Sequence, residues 1–151
     1  MRIVAVLGAL AAPVLAGTLY VWSGDSASNG NRTDDTNWLG SGYPGEGGTT
    51  ADSVILDDPS PRPEMIQDTG VLTIQTLFVG DGHTIRLDYD IIVTTAADGG
   101  MLEFEGQPPA DGTTVYSSTA NRKIQAQYVI VNTGMETVIT TDGNTRITTV
   151  D

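Results

Sequence analysis

From Asp52 onward the chain is a succession of short runs, many alternating apolar and polar residues, most of them closing on a turn signal. Asp52-Ser53-Val54-Ile55-Leu56 opens the series, and residues 71–79 follow as a dense block of β-formers that closes on Gly80-Asp81-Gly82. In residues 84–95, Ile85, Leu87 and Tyr89 fall on one face and Arg86, Asp88 and Asp90 on the other. Ile91-Ile92-Val93 then shifts the phase, which predicts a bend or bulge near Asp90. Met101, Glu103 and Glu105 alternate with Leu102 and Phe104. A short run at Val115-Tyr116 and a longer one over 123–132 come next. The last two runs, 136–141 and 145–150, flank Asp142-Gly143-Asn144, a hairpin or corner signal. No stretch after Gly17 carries an apolar stripe at helical spacing, so the predicted fold class is all-β. Turns every 8–12 residues or so suit a sandwich, a barrel or a β-helix, and no strict repeat separates these.

Two segments break the alternation. Residues 23–52 are rich in Gly, Ser, Asn, Asp and Thr. Trp22, Trp38, Leu39 and Tyr43 punctuate that polarity, so the segment reads as an ordered loop that caps one end of a β structure. Residues 57–63 hold three prolines, which remove three backbone donors and exclude a central strand. The expected organisation is an apolar arm over residues 1–19 and one all-β domain over 20–151, with a loop cap at 23–52.

The arm is a problem of its own. Arg2 precedes an apolar run containing Ile3, Val4, Val6, Leu7, Leu10, Val14 and Leu15, and Val14-Leu15-Ala16 has the form of a signal cleavage site. Gly8 and Pro13 make the run too short and broken for a good membrane span. It is either removed on secretion or retained as an arm that orders by packing on neighbours. Retention is the working expectation, which makes those seven apolar residues candidate assembly contacts.

Charge narrows the partners. The 19 acidic and 7 basic residues give a formal charge of −12, with one lysine in 151 residues. Nucleic acid and anionic membrane need clustered cations, so neither is an expected partner. There is no cysteine, hence no disulfide, no thiolate nucleophile and no cysteine-based zinc site.

The candidate chemistry is thin. His83 is the one histidine; it sits in a Gly82-His83-Thr84 turn and reads as an exposed turn residue. Paired carboxylates at Asp34/Asp35, Asp57/Asp58, Asp88/Asp90 and Glu103/Glu105 raise glycoside cleavage, which needs two opposed carboxyls. Caps, turns and solvated faces account for them more simply, so no catalytic residue and no cofactor are expected. Calcium is the one candidate ligand ion, since Asp34-Asp35, Asp57-Asp58, Asp81 and Asp142-Gly143-Asn144 offer hard oxygens, but none matches an EF-hand or a calcium-binding repeat. Trp22, Trp38 and Tyr43 are candidates for stacking on sugar rings, against a plainer role in packing.

Val21-Trp22-Ser23-Gly24, Asn37-Trp38, Gly42-Tyr43-Pro44 and Asp52-Ser53-Val54-Ile55-Leu56 together resemble the N-terminal head of autotransporter-like passenger proteins and of some phage fibre proteins. Leu72-Thr73-Ile74, Leu77-Phe78-Val79-Gly80-Asp81-Gly82 and Ile85-Arg86-Leu87 resemble the first β-helix rungs that follow, so the likeness spans about residues 20–95. It implies a parallel β-helix used for display, adhesion or virion structure. The expectation is therefore a short parallel β-helix-like module, with a β-sandwich or jelly roll as the alternative. The expected role is a non-enzymatic structural subunit on a virion exterior, of the decoration or fibre type, that binds copies of itself or a capsid shell. A secreted or cell-surface bacterial protein that adheres to glycans is the alternative.

Overall fold

The computed structural model describes residues 17–57, 60–80, 82–94, 100–104, 113–117, 119, 121–131, 139–141 and 145–149. The apolar arm with Ile3, Val4, Val6, Leu7, Leu10, Val14 and Leu15 lies outside them, as do Asp58, Asp81, Glu105 and Asp142-Gly143-Asn144.

The described chain is all-β. Its strands are β1 (Leu19–Trp22), β2 (Trp38–Leu39), β3 (Ser53–Leu56), β4 (Glu64–Gln67), β5 (Leu72–Ile74), β6 (Thr76–Val79) and β7 (Thr84–Leu87). They continue with β8 (Ile91–Val93), β9 (Met101–Phe104), β10 (Thr113–Tyr116), β11 (Arg122–Ala126), β12 (Tyr128–Val131), β13 (Ile139–Thr141) and β14 (Thr145–Thr149). Three sheets result. Sheet A runs β12-β9-β6-β3-β1-β2, sheet B β13-β10-β7-β4, and sheet C β14-β11-β8-β5. From β3 on, each strand pairs in parallel with the strand three places later, so the chain visits the three sheets in turn, four times. Only the β1–β2 pair is antiparallel among the paired strands.

Alternation within each strand builds the core. Where burial is described, most strands bury every second side chain, and in-register pairing stacks these into columns. Sheet A stacks Tyr20, Val54, Leu77, Leu102 and Val129, and beside them Leu56, Val79 and Phe104. Sheet B contributes Met65, Ile85 and Val115; sheet C contributes Leu72, Ile91 and Ile124, with Ile74, Val93 and Ala126 beside them. All belong to one apolar cluster. The outward residues, such as Thr73, Phe78 and Glu103, are half-exposed.

Backbone hydrogen bonding carries on through the corner between sheets C and A. Gln75 N–H donates to Asp52 O at 2.7 Å, Met101 N–H to Gln75 O at 3.2 Å, and Tyr128 N–H to Gly100 O at 2.9 Å. Gly100 is required here, because a Cβ would stand 2.1 Å from the carbonyl oxygen of Val93.

Several expectations need correction. Residues 71–79 are two strands, split at Gln75, and 123–132 divides likewise at Gln127. Each split moves the chain from sheet C to sheet A. No Gly or Pro marks either point, because a one-residue corner between extended segments requires neither. Of the hairpin and corner alternatives for the runs flanking 142–144, the hairpin is excluded: β13 pairs with β10 and β14 with β11, not with each other. The predicted bend near Asp90 is present between β7 and β8, but it turns Tyr89 outward, 39% exposed, under the Arg122 guanidinium.

The columns make a simple prediction. Phe104→Ala removes a fully buried ring and should cost roughly 3–5 kcal/mol in urea unfolding. Phe78→Ala, on the outward face of the adjacent strand, should cost far less; equal losses would contradict the assignment of faces.

Candidate functional site

The chemistry-bearing residues concentrate where residues 18–52 cover the first circuit, β3 to β5. The covering begins with aromatic packing. Trp22 and Trp38 face each other across β1 and β2, edge to face, with ring centroids 5.0 Å apart. Tyr20 meets Trp38 the same way at 6.0 Å. Both indole N–H groups are engaged, Trp22 Nε1 with Arg62 O and Trp38 Nε1 with Arg32 O, each at 2.8 Å. Trp22 is fully buried and Trp38 is 3% exposed. Neither offers a ring face to a sugar, and both are packing residues. Tyr43 is half-buried, with the Arg32 guanidinium over its ring at 5.4 Å.

Three buried polar side chains tie the loops down. Asn37 accepts from Ser26 N–H through Oδ1 at 3.0 Å and donates through Nδ2 to the carbonyls of Asn29 and Asn31 at 3.1 Å each. Asp52, 1% exposed, accepts from Thr18 N–H at 3.1 Å, Gly45 N–H at 2.8 Å and Thr49 Oγ1 at 2.5 Å. That satisfies the charge a buried carboxylate brings with it. Arg32, 5% exposed, donates through Nε to Gln67 Oε1 at 2.6 Å, through Nη1 to Pro44 O and through Nη2 to Thr69 O at 3.1 Å. Burial lowers its pKa from the ordinary guanidinium value, with Asp68 acting in the opposite sense. Beside Arg32 opens a pocket of about 130 Å³, bounded also by Gly45, Thr49, Thr50, Leu72 and Thr73.

The remaining candidates are spread apart. Asp34 caps the short 3-10 turn Asp35–Asn37, accepting from Thr36 N–H at 3.1 Å and from Thr36 Oγ1 at 2.5 Å, and it also accepts from Ser26 Oγ at 2.7 Å. Those bonds, Thr36 first, hold its carboxyl below the usual carboxylate range. Asp88 pairs with Arg86 at 3.1 Å, and Asp90 accepts from Lys123 N–H at 3.2 Å. On the outward face of sheet B, Tyr116 donates to Glu64 at 2.7 Å; burial and that carboxylate raise the phenol's pKa. His83 is not an exposed turn residue but 4% exposed, with its carbonyl accepting from Thr114 N–H of β10. Among the described residues no group of three or more His, Asp or Glu side chains is placed to hold a metal ion. No helix among them is long and apolar enough to cross a membrane.

Arg32 and Gln67 were not marked by the sequence. Arg32 sits in the polar run read as an ordered capping loop, where no local pattern set it apart from its neighbours, and Gln67 lies next to an aspartate. The one signal available was the scarcity of cations: an arginine inside the aromatic-punctuated loop of an acidic chain is a candidate for burial. The chain matches no protein-family profile, no curated protein and no solved structure.

Two predictions follow from these contacts. Asp52→Ala strands three donors and should lower stability by roughly 1–3 kcal/mol in urea unfolding; no loss would contradict the anchoring role. Asp34 has a folded pKa below its unfolded value of about 3.9, so its contribution is present above that pH and is lost as pH falls through the folded value. A carboxyl-detected NMR titration should place Asp34 below 3.9; a midpoint at or above it contradicts the cap.

Proposed function

We propose that this chain is a non-enzymatic structural subunit of an exterior surface assembly, of the virion decoration or fibre type, built as a short parallel β-helix. Three parallel sheets, visited in strict rotation by in-register strands, support the β-helix reading over a sandwich. In a sandwich, sequential strands would face each other antiparallel in two sheets.

The observation that carries the functional reading is the asymmetry of the two ends. At one end, β1, β2, the Trp22–Trp38 pair and the Asn31–Ile66 bridge cover the first circuit. At the other, β12, β13 and β14 have no strand partner on their outer side among the described residues. There β12 also exposes Tyr128 at 60%, Ile130 at 41% and Val131 at 40%. An apolar strand with an unpaired edge is a template for another chain. In this reading a second subunit adds its strand to β12, while the acidic surface keeps free subunits dispersed.

The strand directions suit a two-fold arrangement. Turning one copy end over end about an axis through sheet A reverses the sense in which its chain circulates. β12 then meets β12 of the other copy antiparallel, and β13 meets β14. Such an interface is self-complementary, as a two-fold contact must be. Light scattering on the purified full chain tests this. Association should rise with concentration and with salt, since salt screens the repulsion between chains of charge −12. Tyr128→Lys with Ile130→Lys, both on the outward face of β12, should leave a monomer that still folds. A wild type that stays monomeric at millimolar concentration in both low and high salt contradicts the proposal.

A further inference from the structure

We propose that the pocket beside Arg32 binds a small carboxylate, of the size of a single acidic sugar residue. This pocket lies at the covered end of the fold, away from β12, and its occupancy does not depend on assembly.

Among the described residues the Arg32 guanidinium has no carboxylate bonded to it; the Tyr43 ring, 5.4 Å away, and the field of Asp68 are what face its charge. Arg32 is 5% exposed, yet all three of its hydrogen-bond acceptors are neutral oxygens, of Pro44, Gln67 and Thr69. The one ion pair among the described residues is Arg86–Asp88, elsewhere on the surface. Asp68 lies near enough to act on Arg32 through its field, but its two oxygens accept from Thr33 N–H and Thr33 Oγ1, and it makes no ion pair with the guanidinium. Buried charges in folded proteins are ordinarily paired. A guanidinium carries five N–H donors. The three bonds use one donor on each nitrogen, so Nη1 and Nη2 each retain an N–H in excess of their protein acceptors.

The surroundings select the ligand class. The pocket of about 130 Å³ has room for a carboxylate and part of the group that bears it. Leu72 and Val71 give the lining an apolar part, and Thr49, Thr50 and Thr73 give it a polar part suited to a hydroxylated ring, with the Thr49 hydroxyl, which donates to Asp52, left only to accept. Gly45, at φ +79°, brings the loop close: a Cβ there would stand 2.9 Å from Leu72 Cδ1 and 3.7 Å from Arg32 Nη1. A carboxylate is planar, singly charged and able to take two N–H groups from one arginine. A phosphate dianion would call for further cations, and no other basic residue lines the pocket.

Amide NMR shifts of the full chain, followed at fixed ionic strength against sodium glucuronate, sodium acetate, sodium phosphate and glucose, test the site. Glucuronate should give saturable shifts at Gly45, Thr49 and Thr73, with a Kd on the order of millimolar. Acetate should move the same signals more weakly, and glucose should move none to saturation. Thr73→Trp fills the pocket from its half-exposed rim without touching the anchor and should weaken glucuronate binding at least tenfold. Thr50→Trp, at an exposed position, serves the same purpose if the first variant does not fold. Shifts that never saturate, phosphate binding as tightly as glucuronate, saturation by glucose, or undiminished glucuronate binding in a folded pocket-filled variant would each overturn the proposal.

Discussion

Everything in this protein hangs on register between parallel strands. Ser53, Thr76, Met101 and Tyr128 pair in sequence across sheet A, and the other two sheets follow their own in-register columns. Because side chains alternate across a strand, a slip of one residue would turn an inward column to water. The columns are mainly aliphatic, with Tyr20, Met65 and Phe104 among them and Gln67 and Thr113 as buried polar members, and from the second circuit on the inward residues stack in register on those one circuit earlier. Register thus links local alternation to the core, and the core in turn fixes which residues remain outside.

The same constraint explains how the two ends differ. Parallel stacking leaves an unpaired strand edge at each end. The chain closes one of them with β1, the antiparallel β2 and a loop held by Asn37, Asp52 and Arg32. Burying three polar side chains there is tolerable because each is hydrogen-bonded, mainly to backbone groups. The other end, as far as the described residues run, presents β12 with its apolar outer face. That contrast motivates the assembly proposal, and the one buried cation of the closed end motivates the ligand proposal.

Much of the strand content was legible because alternation is a local signal. Leu102/Phe104 against Met101/Glu103, and the phase shift after Asp90, translate directly into buried and half-exposed positions. The corners at Gln75 and Gln127 were not legible. A single extended residue turns the chain there with no Gly or Pro to announce it, so two strands read as one. The repeat was hidden for a related reason: the circuits along sheet A lengthen from 23 to 25 to 27 residues (53 to 76, 76 to 101, 101 to 128), so no fixed period exists to be found. In the covering loop the sequence showed that aromatics pin polar chain, but not that their faces are spent on one another. The roles of His83, Arg32 and Gln67 depend on what packs across from them, which one chain's local pattern does not encode.

The account is tested most directly by hydrogen–deuterium exchange of residues 128–131, followed as a function of protein concentration. The amides of β3, enclosed between β1 and β6, serve as the internal reference. If β12 is an edge that another copy completes, its outward amides exchange fast in dilute solution and become protected as concentration rises, while β3 stays protected throughout. Exchange of β12 that is indifferent to concentration, whether fast or slow, would contradict the account.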